Sequence, residues 1–155
     1  MTGTTDFIIE DGHFKAVTRY RVLYADTDLM GVVNNAHYFR FFEQGRGEYL
    51  RLLDFPYAKI EEKGIRTPLT EAWAHYYLPF RYDDLIRVEC WLSQVKNASF
   101  RFDYQLYLEG SPKLHVSGRT LHATVNLEGK VVKIPDWLVE ILNARLERAR
   151  AVSED

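Results

Sequence analysis

The sequence predicts a protein of the α+β class, in which one curved antiparallel sheet wraps around a long central helix. Three observations lead to this prediction. A long apolar helical segment comes early in the chain, four strand-like segments then follow one another, and a charged helical segment ends the chain. Because strands that are consecutive in sequence usually lie side by side, this order favours an antiparallel sheet over a doubly wound parallel one.

The elements are predicted from the amino terminus onward. Residues 1–12 are expected to be a loose polar lead-in, and residues 13–155 to form a single domain. A partly alternating pattern indicates a strand over residues 14–24, and residues 26–31 interrupt it as a loop. Further strands are predicted over residues 66–78, 85–96, 99–109 and 115–126, and further helices over 57–63 and 135–151.

The long helix is predicted over residues 35–53, with Asn34 or Asn35 able to cap its first N–H groups. Its first turns are apolar and aromatic on all sides, so we expect a helix that is buried all round. Gly45 and Gly47 each weaken a helix by roughly 1 kcal/mol relative to alanine. Their presence predicts that another part of the backbone passes close to this helix.

Composition narrows the classes of partner. The formal net charge of −2 argues against nucleic acid as the main partner. A single cysteine, Cys90, excludes a disulfide framework and suggests a reducing, cytoplasmic location. The first residues lack the pattern of a signal peptide, so we expect none, and no apolar run in the sequence is long enough to span a membrane. His115 and His122 are seven residues apart on one predicted strand and so face opposite sides, and we expect no metal and no cofactor.

The segment that carries chemistry is residues 24–38, which read YADTDLMGVVNNAHY. Asp26 and Asp28 precede the long helix, where aspartates commonly cap a helix or complement its dipole. Asp28, however, lies six residues before Asn34, which is too far for a simple cap. A carboxylate between apolar residues near a helix N-terminus is also suited to act as a nucleophile or base. From local chemistry alone, both interpretations remain open.

This segment resembles the signature of hotdog-fold thioesterases of the 4-hydroxybenzoyl-CoA type. The matching residues are Tyr24, Asp26-Thr27-Asp28, Gly31-Val32-Val33, Asn34-Asn35, Tyr38, and Glu43 with Arg46. A second match is the turn from Pro79 to Asp84, and the resemblance extends over about residues 15–143. It implies an acyl-CoA substrate and a homodimer or homotetramer whose active site lies at the dimer interface.

The resemblance also implies roles for individual residues. The catalytic aspartate of the family falls on Asp28, which would attack the thioester carbonyl or activate water. N–H groups around Val33, Asn34 and Asn35 would polarise that carbonyl, as a helix N-terminus can. Tyr24 matches a tyrosine of one branch of the family, whereas the histidine of that branch is replaced by Asn35, which either donates a hydrogen bond or caps the helix.

Three further residues are implied as substrate contacts. Thr67 and Glu71 fall on a stretch that crosses the partner's active site in the family, and Lys96 falls on a turn that contacts the CoA nucleotide. Glu43 and Arg46 are one helical turn apart and are expected to pair, mainly in a structural role. Two other functions remain open: a hotdog hydratase or dehydratase, which would need a histidine with a carboxylate, and a non-catalytic acyl-binding domain.

Overall fold

A computed structural model of the chain describes the backbone of residues 5–154 and the side chains through residue 146. A six-stranded sheet forms its centre, with the strands in the order β1-β2-β4-β5-β6-β3 and every neighbouring pair antiparallel. The strands are β1 (Asp6–Glu10), β2 (His13–Arg21), β3 (Leu69–Tyr76), β4 (Leu85–Val95), β5 (Ser99–Leu108) and β6 (Leu114–Ala123). The α-helices of the described chain are α1 (Tyr38–Leu52), α2 (Tyr57–Glu62) and α3 (Asp136–Glu154), and a short 3₁₀ turn, Asn35–His37, leads into α1. The predicted α+β class with one antiparallel sheet is confirmed.

The expected loose lead-in was wrong for residues 6–10, which form β1. This strand pairs with β2 through a two-residue turn at Asp11 and Gly12, both of which have positive φ angles of 53° and 76°. An Asp-Gly pair between two strands is the usual sequence of a type I′ hairpin turn. The ring of Phe7 packs on that of Phe14 at a centroid distance of 5.0 Å, which gives the added strand an apolar contact.

Helix α1 lies against the sheet through aromatic and small residues. Phe42 stacks on Tyr104 with a centroid distance of 4.4 Å, and its ring occupies the space above Gly118 on β6. A Cβ atom at Gly118 would lie 2.3 Å from that ring. A Cβ at Gly45 would lie 3.0 Å from the Val88 side chain on β4, so this glycine does permit a close approach, although to side chains and not to backbone. Gly47 has no such neighbour in the described structure.

The other side of α1 is exposed, so the expectation of burial all round was wrong. Phe39, Arg40, Glu43 and Gln44 are all exposed along it. The aromatic residues at the start of the helix are divided between two faces, since Phe41 and Phe42 are fully buried against the sheet while Phe39 is not. In the described residues, no helix is both long and apolar enough to cross a membrane.

Candidate active site

The segment between β2 and α1 folds into a narrow loop that ends at the start of the helix. The N–H of Asn34 donates to the carbonyl of Asp26 at 2.9 Å, and the N–H of Asp28 donates to the carbonyl of Val32 at 3.0 Å. Gly31 closes the tip with a positive φ of 77° and a 2.9 Å hydrogen bond to the Asp28 carbonyl. These bonds hold the two aspartates and the helix start in one compact unit.

Asp26 is the anchor of this loop. Its side chain is 2% exposed and accepts hydrogen bonds from the Leu23 N–H at 2.8 Å, from His37 Nδ1 at 3.1 Å, and from Arg40. Burial alone would raise the pKa of Asp26, but the hydrogen bonds from Leu23, His37 and Arg40 outweigh it and lower that pKa. A carboxylate with so many partners is committed to holding the backbone in place.

Asp28 stands in a different environment at the tip of the same loop. Its side chain is half-buried and accepts a hydrogen bond from the Met30 N–H at 2.9 Å, which forms an Asx turn. Within the described chain, no cationic group lies within 4 Å of this carboxylate. Its flanking residues Leu29 and Met30 are exposed. Asp28 therefore keeps most of its acceptor capacity for a ligand or a water molecule.

The N–H groups at the helix start are mostly occupied, which corrects part of the sequence prediction. The Val33 N–H donates to the Phe80 carbonyl, and the Asn34 N–H donates to Asp26, both at 2.9 Å. Asn34, not Asn35, caps the 3₁₀ turn Asn35–His37 that precedes α1, because its side chain accepts from the Ala36 N–H at 2.9 Å. In the described structure the Asn35 N–H is left without an acceptor. Of the three N–H groups predicted to polarise a carbonyl, those of Val33, Asn34 and Asn35, only that of Asn35 is available in the described structure.

A cavity of about 200 Å³ opens beside Asn35, between the helix start and the end of β3. Its lining residues include Val32, Val33, Asn35, Tyr38, Tyr76 and Tyr77. The Tyr76 hydroxyl donates to the Asn35 carbonyl at 3.0 Å, and the Tyr76 ring packs edge-on against that of Tyr38 at 5.0 Å. Sequence reasoning missed Tyr76 and Tyr77. The pair of tyrosines at the end of a predicted strand was the signal that could have found them.

Tyr24 lies at the entrance to the loop, in the short 3₁₀ turn Tyr24–Asp26. Its side chain is 80% exposed, and its ring contacts that of Tyr82 edge-on at 5.8 Å. Its carbonyl accepts a hydrogen bond from the Thr27 hydroxyl at 2.7 Å. Tyr24 is therefore a neighbour of the loop whose hydroxyl group is free for another molecule.

The three remaining predicted contacts lie elsewhere in the chain. Thr67 precedes β3 and accepts a hydrogen bond on its carbonyl from His122 at 3.3 Å, and Glu71 is exposed near the start of the same strand. Lys96 is exposed in the turn between β4 and β5. Asn35, in contrast, is bonded to Tyr76 at the far end of β3. A single chain does not bring these three residues to Asp28.

Glu43 and Arg46 do not form the expected ion pair. Glu43 is exposed, whereas Arg46 is partly buried beside the hydroxyls of Tyr57 and Tyr104. Among the described residues, no carboxylate oxygen lies within 4 Å of the Arg46 guanidinium. The same part of the chain contains no group of three His, Cys, Asp or Glu side chains suited to hold a metal ion.

With this geometry in view, the chain can be compared with known proteins. Residues 22–142 match the family model of the thioesterase-like superfamily. The chain belongs to this superfamily. The acyl-CoA thioesterase YbgC of Haemophilus influenzae is 40% identical over 87 residues, which are 56% of this chain and 64% of that protein. A 1,4-dihydroxy-2-naphthoyl-CoA hydrolase of Thermosynechococcus vestitus is 30% identical over 130 residues, covering 83% of this chain and 88% of that one.

A solved structure agrees with the family assignment. A hypothetical protein of Aquifex aeolicus superposes on this chain with a TM-score of 0.76 and 36% sequence identity, covering 81% of this chain and 98% of the other. The predicted hotdog fold is thereby confirmed. All the site residues predicted from the sequence fall inside the stretch that matches the thioesterase-like superfamily.

Proposed function

We propose that this member of the thioesterase-like superfamily hydrolyses an acyl-CoA thioester to the free acid and the CoA thiol. The observation that carries the proposal is that one loop holds a carboxylate with spare acceptor capacity and an N–H group without an acceptor. Asp28 has a carboxylate with no cationic partner, and Asn35 has an N–H with no acceptor, both within the described chain. Ester-type hydrolysis needs such a pair, one group to drive the attack and one to stabilise the oxyanion.

The reaction follows from the chemistry of these two groups. The Asp28 carboxylate attacks the thioester carbon, or removes a proton from a water molecule that attacks it. The carbonyl oxygen then gains negative charge, which the Asn35 N–H stabilises at the start of the 3₁₀ turn that leads into α1. The carbon–sulfur bond breaks, and the CoA sulfur leaves and takes up a proton. If Asp28 is the nucleophile, water then hydrolyses the anhydride that it formed.

A complete site requires a second copy of the chain, and β3 is the surface that would meet it. β3 is a sheet edge whose residues are exposed except for Ala74, and three exposed apolar residues, Leu69, Trp73 and Tyr76, lie along it, with Trp73 and Tyr76 on opposite faces. Leu69 and Tyr76 are ~23 Å apart along an extended strand. Two-fold pairing about the middle of β3 would bring Thr67 and Glu71 of one protomer towards the partner's Asn35.

This arrangement predicts a homodimer, or a homotetramer built from two such dimers. Sedimentation at micromolar concentration should detect no major monomer, and Trp73→Asp at the centre of the edge should shift the distribution towards monomer with loss of activity. An active monomer would contradict the shared site. A cytoplasmic location remains our expectation from the single cysteine, and the narrower likeness to the 4-hydroxybenzoyl-CoA type remains part of this proposal.

The function is tested by release of free thiol from a panel of acyl-CoA esters, aliphatic and aromatic. Wild-type protein should release thiol from at least one of them, and Asp28→Asn should lose the activity while keeping the fold. A panel with no hydrolysis at all, on properly folded dimer, would refute thioesterase activity.

One observation favours a second function. His37 lies 3.1 Å from the Asp26 carboxylate, which is the histidine–carboxylate pair that a hydratase or dehydratase would need. Asp26 is, however, also bound by Arg40 and buried under the loop, so the pair is part of the anchor. Adding an enoyl-CoA to the same panel separates the two functions: hydration without thiol release would favour the hydratase.

A further inference from the structure

The 3₁₀ turn that leads into α1 carries the Asn35 N–H and is held by hydrogen bonds on both sides of that group. The peptide group that contains this N–H is bound through its other end, because the Asn34 carbonyl accepts from the His37 N–H at 2.9 Å. The next peptide group is bound at both ends. Its carbonyl, that of Asn35, accepts from the Tyr76 hydroxyl at 3.0 Å, and its N–H, that of Ala36, donates to the Asn34 side chain at 2.9 Å. These bonds fix the direction in which the Asn35 N–H points.

Tyr76 is the partner that comes from outside the turn, 41 positions further along the chain. It is the last residue of β3, and its backbone pairs with Val116 of β6. The next N–H, that of Tyr77, donates to the His115 carbonyl at 2.8 Å. The Tyr76 ring packs edge-on against that of Tyr38, a buried residue at the start of α1. The Tyr76 hydroxyl is therefore held in place by the sheet and by α1, and not by the turn that it binds.

The segment that follows β3 holds the same part of the chain at a second point. The Val33 N–H, two residues before Asn35, donates to the carbonyl of Phe80 at 2.9 Å. Phe80 is fully buried, and its ring stacks on that of His115 at 4.3 Å. Residues 76–80 thus contact the chain both before and after Asn35. The later contact is made by a side-chain hydroxyl, which a substitution can remove without changing the backbone.

The Tyr76 hydroxyl has one proton, and the bond to Asn35 uses it. Tyr76 therefore does not donate to a substrate oxygen while this bond is formed, although both residues line the cavity beside the helix start. Partial burial raises the pKa of Tyr76 above its ordinary value of 10, so the hydroxyl stays protonated and continues to donate at neutral pH. Any effect of Tyr76 on the reaction then passes through Asn35.

We propose that Tyr76 is a positioning residue of the active site, whose hydroxyl holds the Asn35 carbonyl so that the Asn35 N–H points at the oxygen of the bound thioester. An oxyanion donor is most effective when its direction is set before the reaction, because nothing has to reorganise as the charge develops. The inference rests on the proposed thioesterase function and adds a residue to its site.

The first test is Tyr76→Phe, which removes the hydroxyl oxygen and keeps the ring that packs against Tyr38. We expect kcat on the best thioester of the panel to fall by roughly 3- to 10-fold, as for the loss of one hydrogen bond, with KM changed by less than about two-fold. Tyr107→Phe is the matched control and should keep the wild-type kcat. The Tyr107 hydroxyl also makes one hydrogen bond of 3.0 Å, but to Gln105 of its own strand β5.

A double-mutant cycle with Asn35→Pro separates positioning from direct contact. Proline removes the N–H of residue 35 and leaves the carbonyl that Tyr76 binds. If Tyr76 acts through the N–H, Tyr76→Phe should not lower kcat further in the Asn35→Pro protein. All variants are compared at a protein concentration at which sedimentation finds the wild-type assembly. An undiminished effect of Tyr76→Phe in the Asn35→Pro protein would overturn the inference, and so would an unchanged kcat in Tyr76→Phe alone.

A measurement without substrate keeps the inference testable if no thioester is hydrolysed. The nitrogen-15 order parameter of the Asn35 N–H should be about 0.85 in wild type, as for rigid backbone, and lower in Tyr76→Phe, whereas Tyr107→Phe should leave it unchanged. A lower value in Tyr76→Phe, in a protein that hydrolyses no thioester, would support the positioning of the N–H although the thioesterase proposal had failed. Equal order parameters in wild type and Tyr76→Phe would refute the positioning role, whatever the protein hydrolyses.

Discussion

Asp26 and Asp28 are two residues apart in the same loop and yet occupy opposite environments. Asp26 is buried and satisfied by backbone, His37 and Arg40, whereas Asp28 is half-buried with one hydrogen bond from its own turn. The Asp26 carboxylate is taken up by structural hydrogen bonds, whereas the Asp28 carboxylate keeps most of its lone pairs free to accept. A pair of acids in a sequence thus separates into an anchor and a carboxylate that is left available for a ligand once the loop has folded.

The largest effects on turnover and on stability should come from replacing each aspartate in turn by asparagine. Asp28→Asn keeps the shape of the side chain and removes the carboxylate, so turnover should fall by at least ~100-fold, as when a catalytic base is lost. The thermal midpoint should hardly change, because the Asx turn to Met30 can persist with an amide oxygen. Asp26→Asn should instead lower the thermal midpoint, because it should lose about 1–3 kcal/mol of unfolding free energy.

Measurement of kcat and thermal unfolding on both variants decides this comparison. Asp26→Asn is expected to lose activity only in step with the loss of folded protein. Comparable turnover in Asp28→Asn and wild type would remove Asp28 from the mechanism. Unchanged stability in Asp26→Asn would remove Asp26 as the anchor of the loop.

The second prediction concerns the Asn35 N–H. Asn35→Pro deletes this donor while leaving the Asn35 carbonyl free to accept from Tyr76. The substitution suits the local backbone, because Asn34 has φ −62° and ψ 135°, the extended conformation that proline requires of its predecessor. Loss of an oxyanion donor should lower kcat by ~10²- to 10³-fold. The measurement is kcat on the best thioester of the panel.

Two other variants at this position serve as controls. Asn35→Ala keeps the N–H and removes a side chain that is exposed, so its effect on kcat should be much smaller than that of proline and its stability unchanged. Asn35→Asp should fold normally and be nearly inactive, since it adds a negative charge beside the developing oxyanion. Equal activity in the proline and alanine variants would mean that the Asn35 N–H is not the oxyanion donor.

The third prediction extends the comparison to pH. The pKa of His122 falls to about 4 on folding from an ordinary value of 6.5, so the unfolded chain takes up a proton first. Stability should therefore fall as pH decreases from 6.5 towards 4, by roughly 2–3 kcal/mol. The pKa of Asp26 is lowered below its ordinary 3.8, so its contribution should be lost only at still lower pH.

Urea unfolding at a series of pH values separates the two groups. His122→Gln should remove the change in stability between pH 6.5 and 4 and keep the change at lower pH. Asp26→Asn should keep the change between pH 6.5 and 4 and remove the one at lower pH. A wild-type stability that does not change between pH 6.5 and 4 would contradict the buried neutral histidine.

The fold was predictable because its signals are local and repeated. The periodicity of apolar residues and the turn residues predict four successive strands and one long helix. The motif from Tyr24 to Asp28 predicted the position of the loop correctly. Which N–H groups before α1 are hydrogen-bonded and which remain free was not predictable. Whether the Val33 or the Asn35 N–H remains free depends on Phe80, a residue more than forty positions away, whose carbonyl takes the first of them.

The missed features share the same physical cause. Burial of α1 on one side only and the lack of a Glu43–Arg46 pair both depend on which surface of the helix faces the sheet. Helical spacing placed Glu43 and Arg46 within reach of each other, but the rotation of the helix against β4 and β6 sends one side chain to solvent and the other to the interior. Such orientation is a tertiary property that sequence spacing does not encode.

The smallest expected effect lies farthest from the loop, at Lys96. This side chain is exposed in the β4–β5 turn and borders a cavity of about 290 Å³ that Lys133 and Asp136 also line, and we expect its two ammonium groups to contact the CoA phosphates. Lys96→Ala should raise KM several-fold with little change in kcat, since a contact remote from the reacting carbon binds substrate and transition state alike. The difference in KM should shrink at high salt, where screening weakens the interactions of exposed charges.

Lys130→Ala, at an exposed lysine paired with Glu128 in another turn, is the matched control and should leave KM unchanged. A lower kcat at unchanged KM in Lys96→Ala would mean that Lys96 acts on the reacting groups and not on the nucleotide.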